Sequence, residues 1–231
     1  MSEPTSTRLN KYLALQLGIS RREADMLIEK GKVSINNHRA QLGARVEKDD
    51  TVTVNGKPLD TATKPLIYLT LHKPAGYVCS RKRQGDAPTI YELLPEKYRE
   101  LKAVGRLDKD SSGLILLSND GDFAFRMTHP KFHKTKVYKI ELDQDLEPLH
   151  QQMIGEFGIT LDDGVSQLGL MRLSDENRQQ WQVTMSEGRN RQIRRTFASL
   201  GYTVTDLHRT TFGSYSLDDI KKGEYTLVDM R

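Results

Sequence analysis

Residues 105–114 read Gly-Arg-Leu-Asp-Lys-Asp-Ser-Ser-Gly-Leu, and this stretch is the most informative part of the chain. It places Asp108 in a polar turn, two residues after an arginine, and the apolar run Leu114–Leu117 follows the turn. That run is too short for a buried helix, so we predict a buried strand. A carboxylate at the end of a rigid strand is held still, which favours a catalytic role. Asp110 lies in the same turn, and an aspartate in a turn often only bonds its own backbone.

The composition is that of a globular protein with a modest basic excess. The 231 residues carry 35 Lys and Arg against 31 Asp and Glu, and they can form one large domain or a small and a medium one. A single cysteine, Cys79, excludes an internal disulfide and fits a reducing compartment. No apolar run is long enough to cross a membrane, and the N-terminus lacks the apolar core of a signal peptide. We therefore expect a cytoplasmic protein that does not contact membranes.

The first 55 residues have a pattern of their own. Leucines at every fourth position from Leu9 to Leu17 predict an amphipathic helix. Ser20 and Glu23 have the spacing of a capping box, which predicts the start of a second helix. Alternating apolar residues between positions 33 and 54 predict short strands. Between residues 5 and 45 there are eight Lys and Arg against three acidic residues.

Two arginines, Arg21 and Arg22, occupy the first turn of the second predicted helix. The helix dipole disfavours cations there, whereas free backbone N–H groups and arginines together suit a phosphate. The alternative is a solvated charged face. From Arg8 to about Val54 the pattern R-L-x-K-Y-L…G-I-S-R-R-E-A…I-x-x-G-x-V-x-I-N resembles the ribosomal-protein-S4-type RNA-binding domain. That resemblance implies RNA contacts by Arg8, Lys11, Arg21 and Arg22.

Residues 56–66 are small, polar and contain two prolines, which is typical of a linker. We therefore expect a domain over residues 1–60 and a second domain over residues 61–231.

Four segments of the second domain carry a further resemblance. They read K-P-A-G-Y at 73–77, G-R-L-D at 105–108, K-V-Y at 136–138 and E-G-R-N-R-Q-I-R-R-T-F at 187–197. In this order they resemble the motifs of the RNA pseudouridine synthases of the RsuA/RluB/RluE/RluF type. The resemblance implies an α+β fold, in which a small N-terminal RNA-binding domain precedes a catalytic domain built on a mixed, mostly antiparallel sheet.

The same resemblance implies roles for individual residues. Asp108 is the expected catalytic carboxylate, and Tyr138 is expected to stack on the target uracil, although a half-buried sheet tyrosine is a common alternative. Arg194 is expected to pair with Asp108 and keep it ionised. The alternative is that the arginines of the segment 187–197 bind only RNA phosphates and do not pair with Asp108. The expected RNA contacts in this domain are Lys73, Arg106, Lys136, Arg189, Arg191 and Arg195.

The segment Phe123–Ile140 holds five Lys and Arg, two histidines and no acidic residue, which favours contact with a polyanion. Aromatic residues interleaved with these cations are able to stack unpaired bases. His129 and His133 have the spacing of metal ligands on a helix, but Pro130 separates them and no third ligand is near in sequence. We expect no metal and no cofactor.

The resemblance implies a ribosomal RNA pseudouridine synthase, closer to enzymes that modify 23S RNA than to those that modify 16S RNA. Its expected partner is ribosomal RNA, free or in assembly intermediates, and the expected state is a monomer. Two other functions fit parts of the sequence. A non-catalytic RNA-binding protein would have the same basic surfaces, and a nucleosidase would use Asp108 with Asp110, although such enzymes need carboxylates on both sides of the substrate.

Overall fold

A computed structural model describes residues 6–59 and 65–230. The chain forms two compact units, the first comprising the described residues up to Leu66 together with Asn119–Gly121, and the second comprising the remainder. The boundary that the sequence predicts, between residues 60 and 61, lies outside the described residues. Each unit has its own apolar core.

The first unit contains two helices and six short strands. The helices are α1 (Leu9–Leu17) and α2 (Arg21–Glu29). The strands are β1 (Ser6–Arg8), β2 (Val33–Ile35), β3 (His38–Arg39), β4 (Arg45–Glu47), β5 (Val52–Val54) and β6 (Lys57–Pro58). Strands β3, β2, β5 and β6 form an antiparallel sheet in that order, and β1 pairs with β4. Leu13 and Ile28 of the helices pack with Val33 and Val52 of the sheet.

The capping box that the sequence predicts at the start of α2 is present in the structure. The Ser20 hydroxyl accepts from the Glu23 N–H at 3.1 Å, and the Glu23 carboxylate accepts from the Ser20 N–H at 2.7 Å, so the capping box is present. One expectation needs correction, because β6 lies inside the stretch 56–66 that was predicted to be a linker. Asn55 and Gly56 both have positive φ angles, 52° and 75°, and form the two-residue turn that folds Lys57 back onto Val54.

The second unit contains three α-helices and eleven strands among the described residues. The helices are α3 (Gly121–Thr128), α4 (Pro148–Gln152) and α5 (Gln192–Ala198). The first strands are β7 (Tyr68–Lys73), β8 (Lys102–Val104), β9 (Ser112–Ser118) and β10 (Lys136–Leu142). The others are β11 (Ile159–Leu161), β12 (Gly164–Ser166), β13 (Gly169–Arg172), β14 (Gln180–Met185), β15 (Val204–Phe212), β16 (Tyr215–Ser216) and β17 (Tyr225–Val228). Short 3-10 helices lie at Ile90–Leu93, Glu96–Tyr98 and Pro130–Phe132, and a π-helical turn lies at Met153–Phe157.

One large sheet organises the second unit. Its strand order is β13-β14-β10-β15-β9-β7-β17, with β16 beside β15 and β8 beside β9. Within the described residues β9 and β15 are parallel and the other neighbours in this sheet are antiparallel. The predicted α+β class with a mixed, mostly antiparallel sheet is therefore confirmed.

The apolar run after the Asp108 turn is the central strand β9, and all seven of its residues are buried. Ile115 and Leu117 pack on one face of the sheet, whereas Leu114 and Leu116 pack on the other with residues of α3. Both faces are covered, so the strand is continuously apolar instead of alternating. The turn before β9 is thus attached to the most buried strand of the unit.

Helix α5 covers the neighbouring part of the sheet. Ile193 and Phe197 point inward and pack in one cluster with Trp181 of β14 and Tyr138 of β10. This is the inward face that helical spacing predicts. None of the helices in the described parts of the chain has the length and apolar character needed to cross a bilayer.

Candidate active site

A cavity of about 360 Å³ opens in the second unit, next to the turn that precedes β9. Its walls come from five parts of the chain: the turn 105–111, the end of α3 with the following 3-10 helix, strand β10, the segment 185–193 that leads into α5, and strand β15. The volume lies in the range of sites that bury a small ligand. The four motif segments 73–77, 105–108, 136–138 and 187–197, far apart in sequence, thus supply or support one cavity.

The turn that carries Asp108 is held by backbone and side-chain hydrogen bonds. The Ser111 N–H donates to the Asp108 carbonyl at 3.2 Å, and the Gly76 N–H donates to the Lys109 carbonyl at 2.7 Å. The Leu107 N–H donates to the Cys79 sulfur at 3.5 Å. Because these bonds come from different directions, they fix the path of the turn and the place of the Asp108 side chain.

Lys73, the last residue of β7, supports the same turn through hydrogen bonds. Its ammonium donates to the carbonyls of Ser111 at 2.6 Å and Pro74 at 3.0 Å, and the residue has no exposed surface. Burial lowers the pKa of Lys73 to about 8, although the charges of Cys79, Asp110 and Asp108 act in the opposite direction. The predicted RNA contact of Lys73 is therefore wrong, because the strand β7 extends through this residue and turns its side chain into the protein.

The ion pair at Asp108 also differs from the expectation. The Arg191 guanidinium lies 3.5 Å from the Asp108 carboxylate, whereas Arg194 lies 3.3 Å from the carboxylate of Asp110. Arg194 is fixed away from Asp108 because it also donates to the carbonyls of Val204 and Asp110. The expected Arg194–Asp108 pair is thus replaced by an Arg191–Asp108 pair. Arg191 reaches Asp108 because it is the N-cap of α5, with a left-handed φ of 45°.

Asp110 is the more heavily bonded of the two aspartates. Burial raises the pKa of its carboxyl group, but the hydrogen bond from Arg191 and the charges of Arg194 and Arg191 outweigh this effect and lower it. Arg191 donates to both Asp110 oxygens at 3.2 Å. Asp110 therefore ties α5 to the turn, and among the described residues Arg191 is the ion-pair partner of Asp108, at a longer distance.

Arg189 and Arg195 both bind the β11–β12 hairpin. Arg189 donates to Asp163 and to the carbonyls of Gly164 and Val165, all within 2.9 Å. Arg195 pairs with Asp162, and with Asp163 at 2.6 Å. These contacts fasten the β11–β12 hairpin to α5, so both arginines have a structural role, and the RNA contacts expected of them stay predictions.

Tyr138 and Lys136 lie side by side on β10 and line the cavity. Tyr138 is buried to 7% exposure, and it belongs to the core cluster as well as to the cavity wall. The Lys136 ammonium donates to the Glu187 carbonyl at 3.1 Å and lies 5.2 Å from the centre of the Phe212 ring. Burial and the charge of Arg209 lower the pKa of Lys136, while Glu187 acts against them.

Two buried groups at the cavity were not predicted as site residues. Arg209 of β15 is 2% exposed; its Nε donates to the Leu114 carbonyl at 2.8 Å, while one Nη has no hydrogen-bond partner among the described residues. The Ser111 hydroxyl is likewise buried without a partner within the described ranges. Buried polar groups without partners are rare. The available signal was a charged residue two positions after an apolar one, Leu207-x-Arg209, which places both side chains on the same face of a strand.

The remaining predicted RNA contacts are on surfaces. Arg106 is exposed at the cavity. In the first unit Arg8, Arg21 and Arg22 are exposed at the starts of α1 and α2. Asn10 accepts from Arg21 at 3.3 Å and donates to Asp25 at 2.9 Å, which joins the first turn of α1, where Lys11 lies, to the start of α2.

Within the described residues no three His, Cys, Asp or Glu side chains are grouped closely enough to hold a metal ion. His129 accepts from the Lys131 N–H at 3.2 Å through its Nδ1 atom, and thereby caps the 3-10 helix that follows α3.

Two parts of the chain match known protein families. Residues 67–199 match the family described as RNA pseudouridylate synthase, and residues 7–52 match the S4 domain. The chain belongs to the RNA pseudouridylate synthase family. It is therefore an isomerase that acts on RNA, and it carries an S4 domain at its N-terminal side.

Relatives named for different RNA substrates resemble the synthase over most of its length. It is 37% identical to the ribosomal small subunit pseudouridine synthase A of Pasteurella multocida, covering 94% of both chains. It is 37% identical to the dual-specificity RNA pseudouridine synthase RluF of Salmonella typhi, covering 97% of this chain and 76% of the relative. A crystal structure of a pseudouridylate synthase superposes with a TM-score of 0.68 at 32% identity, with 96% of each chain covered.

The buried position of Lys73 leads to a first prediction. Lys73→Met keeps most of the side-chain volume but leaves the Ser111 and Pro74 carbonyls without their donor, which costs about 1–3 kcal/mol of stability in or near the turn. We expect the single-turnover rate of the synthase to fall at least about tenfold, as small displacements in an active site are costly. The slope of RNA affinity against salt concentration should not change.

Arg106→Met is the matched comparison, because Arg106 is exposed beside the same cavity. Loss of one phosphate contact should reduce the salt slope by about 0.7–0.9. RNA binding measured at several salt concentrations separates the two variants. If Lys73→Met reduced the salt slope as much as Arg106→Met does, Lys73 would contact RNA after all, against its buried position in the structure.

Proposed function

We propose that this protein converts a specific uridine in ribosomal RNA to pseudouridine, with Asp108 as the catalytic carboxylate. The observation that supports this proposal most strongly is the site of Asp108: a rigidly held turn at the mouth of a cavity, with a guanidinium 3.5 Å away. A protein that only bound RNA would have no need of a carboxylate there, since carboxylates repel phosphates.

The reaction requires the target uridine to leave its stack and enter the cavity, which is least costly in an RNA loop. Asp108 then acts at the ribose, as a nucleophile at C1′ or as a base at C2′. The bond from C1′ to N1 of uracil breaks, the uracil turns, and C1′ bonds to C5. The C5 proton is lost and N1 gains a proton, so no other reactant is consumed.

The cavity walls carry groups that could hold the uracil base during the reaction. The Tyr138 ring offers a flat apolar face, and base–aromatic stacking contributes about 1–3 kcal/mol. Arg209 and Ser111 offer buried polar atoms without partners among the described residues, which suit the two uracil carbonyls. The nearby positive charges of Lys136 and Arg209 would also stabilise the negative charge that develops on a departing uracil. Arg191 would position the turn through Asp108 and Asp110, and Arg194 would position it through Asp110.

A glycosidase is the second enzyme class to test. It would need carboxylates on both sides of the sugar, about 5–9 Å apart. Asp108 and Asp110 instead bind the same Arg191 guanidinium, and of the two aspartates Asp108 lines the cavity whereas Asp110 does not. This arrangement favours one reacting carboxylate and one that shapes the turn.

The discriminating assay uses ribosomal RNA labelled with tritium at C5 of uracil. An isomerase releases tritium to water, a glycosidase releases free uracil, and an RNA-binding protein releases neither. We expect tritium release with purified wild-type protein. Release of free uracil alone would overturn the proposal.

The two aspartates of the turn provide a matched pair of variants. Asp108→Asn should lower tritium release by at least about a thousandfold, because it removes the charge and basicity on which the chemistry depends. Asp110→Asn should retain activity within about tenfold, since Asp110 acts through the turn. RNA affinity should survive both changes. Reversed losses would assign catalysis to Asp110.

The S4 domain is the proposed anchor for the RNA, through Arg8, Lys11, Arg21 and Arg22. Three of these residues are exposed at helix starts, where free N–H groups also favour phosphate. Ribosomal RNA is the proposed substrate because relatives are named for the small and the large ribosomal subunit. The preference for 23S over 16S RNA, the cytoplasmic location and the monomeric state stay predictions.

Neutralising Arg21→Gln and Arg22→Gln together should reduce the salt slope of RNA binding by about 1.4–1.8, the value for two lost phosphate contacts. The control is Lys48→Gln with Lys57→Gln, which removes the same charge from exposed positions of the same unit. Binding titrations from low to high salt compare the two double variants. Equal reductions would indicate a diffuse electrostatic effect and would contradict a specific anchor at the start of α2.

A further inference from the structure

Two phenylalanines lie exposed beside the cavity. Phe125 of α3 is 46% exposed and Phe132 of the following 3-10 helix is 36% exposed. Their ring centres are 5.6 Å apart in an edge-to-face arrangement, and the His129 ring lies 4.7 Å from that of Phe125. We call Phe125, His129 and Phe132 the aromatic platform. Phe123 and Met127 supply the buried face of α3, so the platform is not needed for that packing.

The platform is held in place by local structure. The His129 ring accepts from the Lys131 N–H, and the Phe132 N–H donates to the His129 carbonyl at 3.1 Å. Pro130 occupies the first turn of the 3-10 helix, and His133 ends it with a left-handed φ of 45°. Ordered aromatic rings on a surface lose little conformational freedom when a ligand binds to them.

Charge around the platform favours a polyanion. The Lys131 ammonium lies 5.0 Å from the centre of the Phe125 ring and 4.8 Å from that of Phe132. The segment 123–140 contains no acidic residue, so no carboxylate on it repels a phosphate. An exposed aromatic surface beside cations is the combination found in single-stranded nucleic-acid sites.

The platform is continuous with the rim of the cavity. His129 and Pro130 themselves line the cavity, as do Met127, Thr128 and Lys134 on either side. A nucleotide next to one that has entered the cavity would therefore lie within reach of Phe125 and Phe132. Entry of the uridine also breaks the stacking of its neighbours, which leaves their base faces exposed.

We propose that the aromatic platform stacks an unpaired base adjacent to the target uridine. Stacking on an aromatic side chain strengthens binding roughly five- to 150-fold per base, whereas an exposed cation–π contact contributes about two- to fivefold. A base can thus displace the Lys131 ammonium, which then binds the adjoining phosphate. The inference rests on the proposed function, because it takes the cavity as the site of the target uridine.

The test uses an RNA hairpin whose loop contains one uridine flanked by 2-aminopurine, the fluorescence of which is quenched by stacking. The test variant is Phe125→Ala with Phe132→Ala, and a second is Phe125→Tyr with Phe132→Tyr, which keeps both rings. Phe157→Ala is the matched control, because Phe157 is 73% exposed and does not line the cavity. Circular dichroism verifies that each variant folds.

We expect quenching by the wild type, the tyrosine variant and Phe157→Ala, and at least a tenfold weaker hairpin affinity with loss of quenching in the alanine double variant. With C5-tritiated ribosomal RNA, that variant should need at least tenfold more RNA for half-maximal rate, while its saturating rate stays within about threefold. Unaltered quenching and affinity in the alanine double variant would contradict the proposal that the platform stacks a base.

Different results would contradict the proposed function and the stacking proposal. Absence of tritium release by the wild type would overturn the proposed function, whereas quenching reports the platform without any reaction. If the alanine double variant were normal on free ribosomal RNA and impaired only on ribosomal particles, the platform would bind a ribosomal protein, and the stacking proposal would be wrong.

Discussion

The parallel contact between β9 and β15 is the constraint on which the site depends. Gly113 lies opposite Arg209, and a Cβ atom at Gly113 would come within 2.2 Å of the Arg209 carbonyl oxygen. The φ of Gly113 is +108°, which side chains rarely adopt. Only glycine allows the two backbones to approach this closely, and this approach places the end of the Asp108 turn against β15.

Two hydrogen bonds lie next to that approach and shape the cavity. Ser111 comes within reach of the Lys73 ammonium, and the Arg209 guanidinium reaches the Leu114 carbonyl from the inner wall. Lys73 and Arg209 are both buried cations, which proteins rarely tolerate without a partner or a function. In this synthase one of them supports the turn, and the other is proposed to face the uracil. The turn, its support and the inner wall are therefore parts of one rigid unit.

Much of this arrangement could be predicted from the sequence because local rules agreed with one another. The capping box at Ser20 and the buried strand after Asp108 each depend on residues within a few positions. The roles of the arginines could not be predicted in this way. Arg189 and Arg195 bind Asp163, and Arg194 is anchored at Val204; these partners lie at distances along the chain that spacing on one helix does not reveal. Lys73 was misassigned for a similar reason, because burial depends on how β7 sits beside β9.

The proposal that this synthase modifies a uridine of ribosomal RNA through Asp108 can be tested in cells. It is tested most directly by mapping carbodiimide-dependent reverse-transcription stops across all ribosomal RNA from a strain that lacks the gene. Under this proposal, a stop present in the parent strain disappears, returns with the wild-type gene, and does not return with Asp108→Asn expressed at the same level. An identical set of stops with and without the gene, or restoration of the stop by Asp108→Asn, would contradict it.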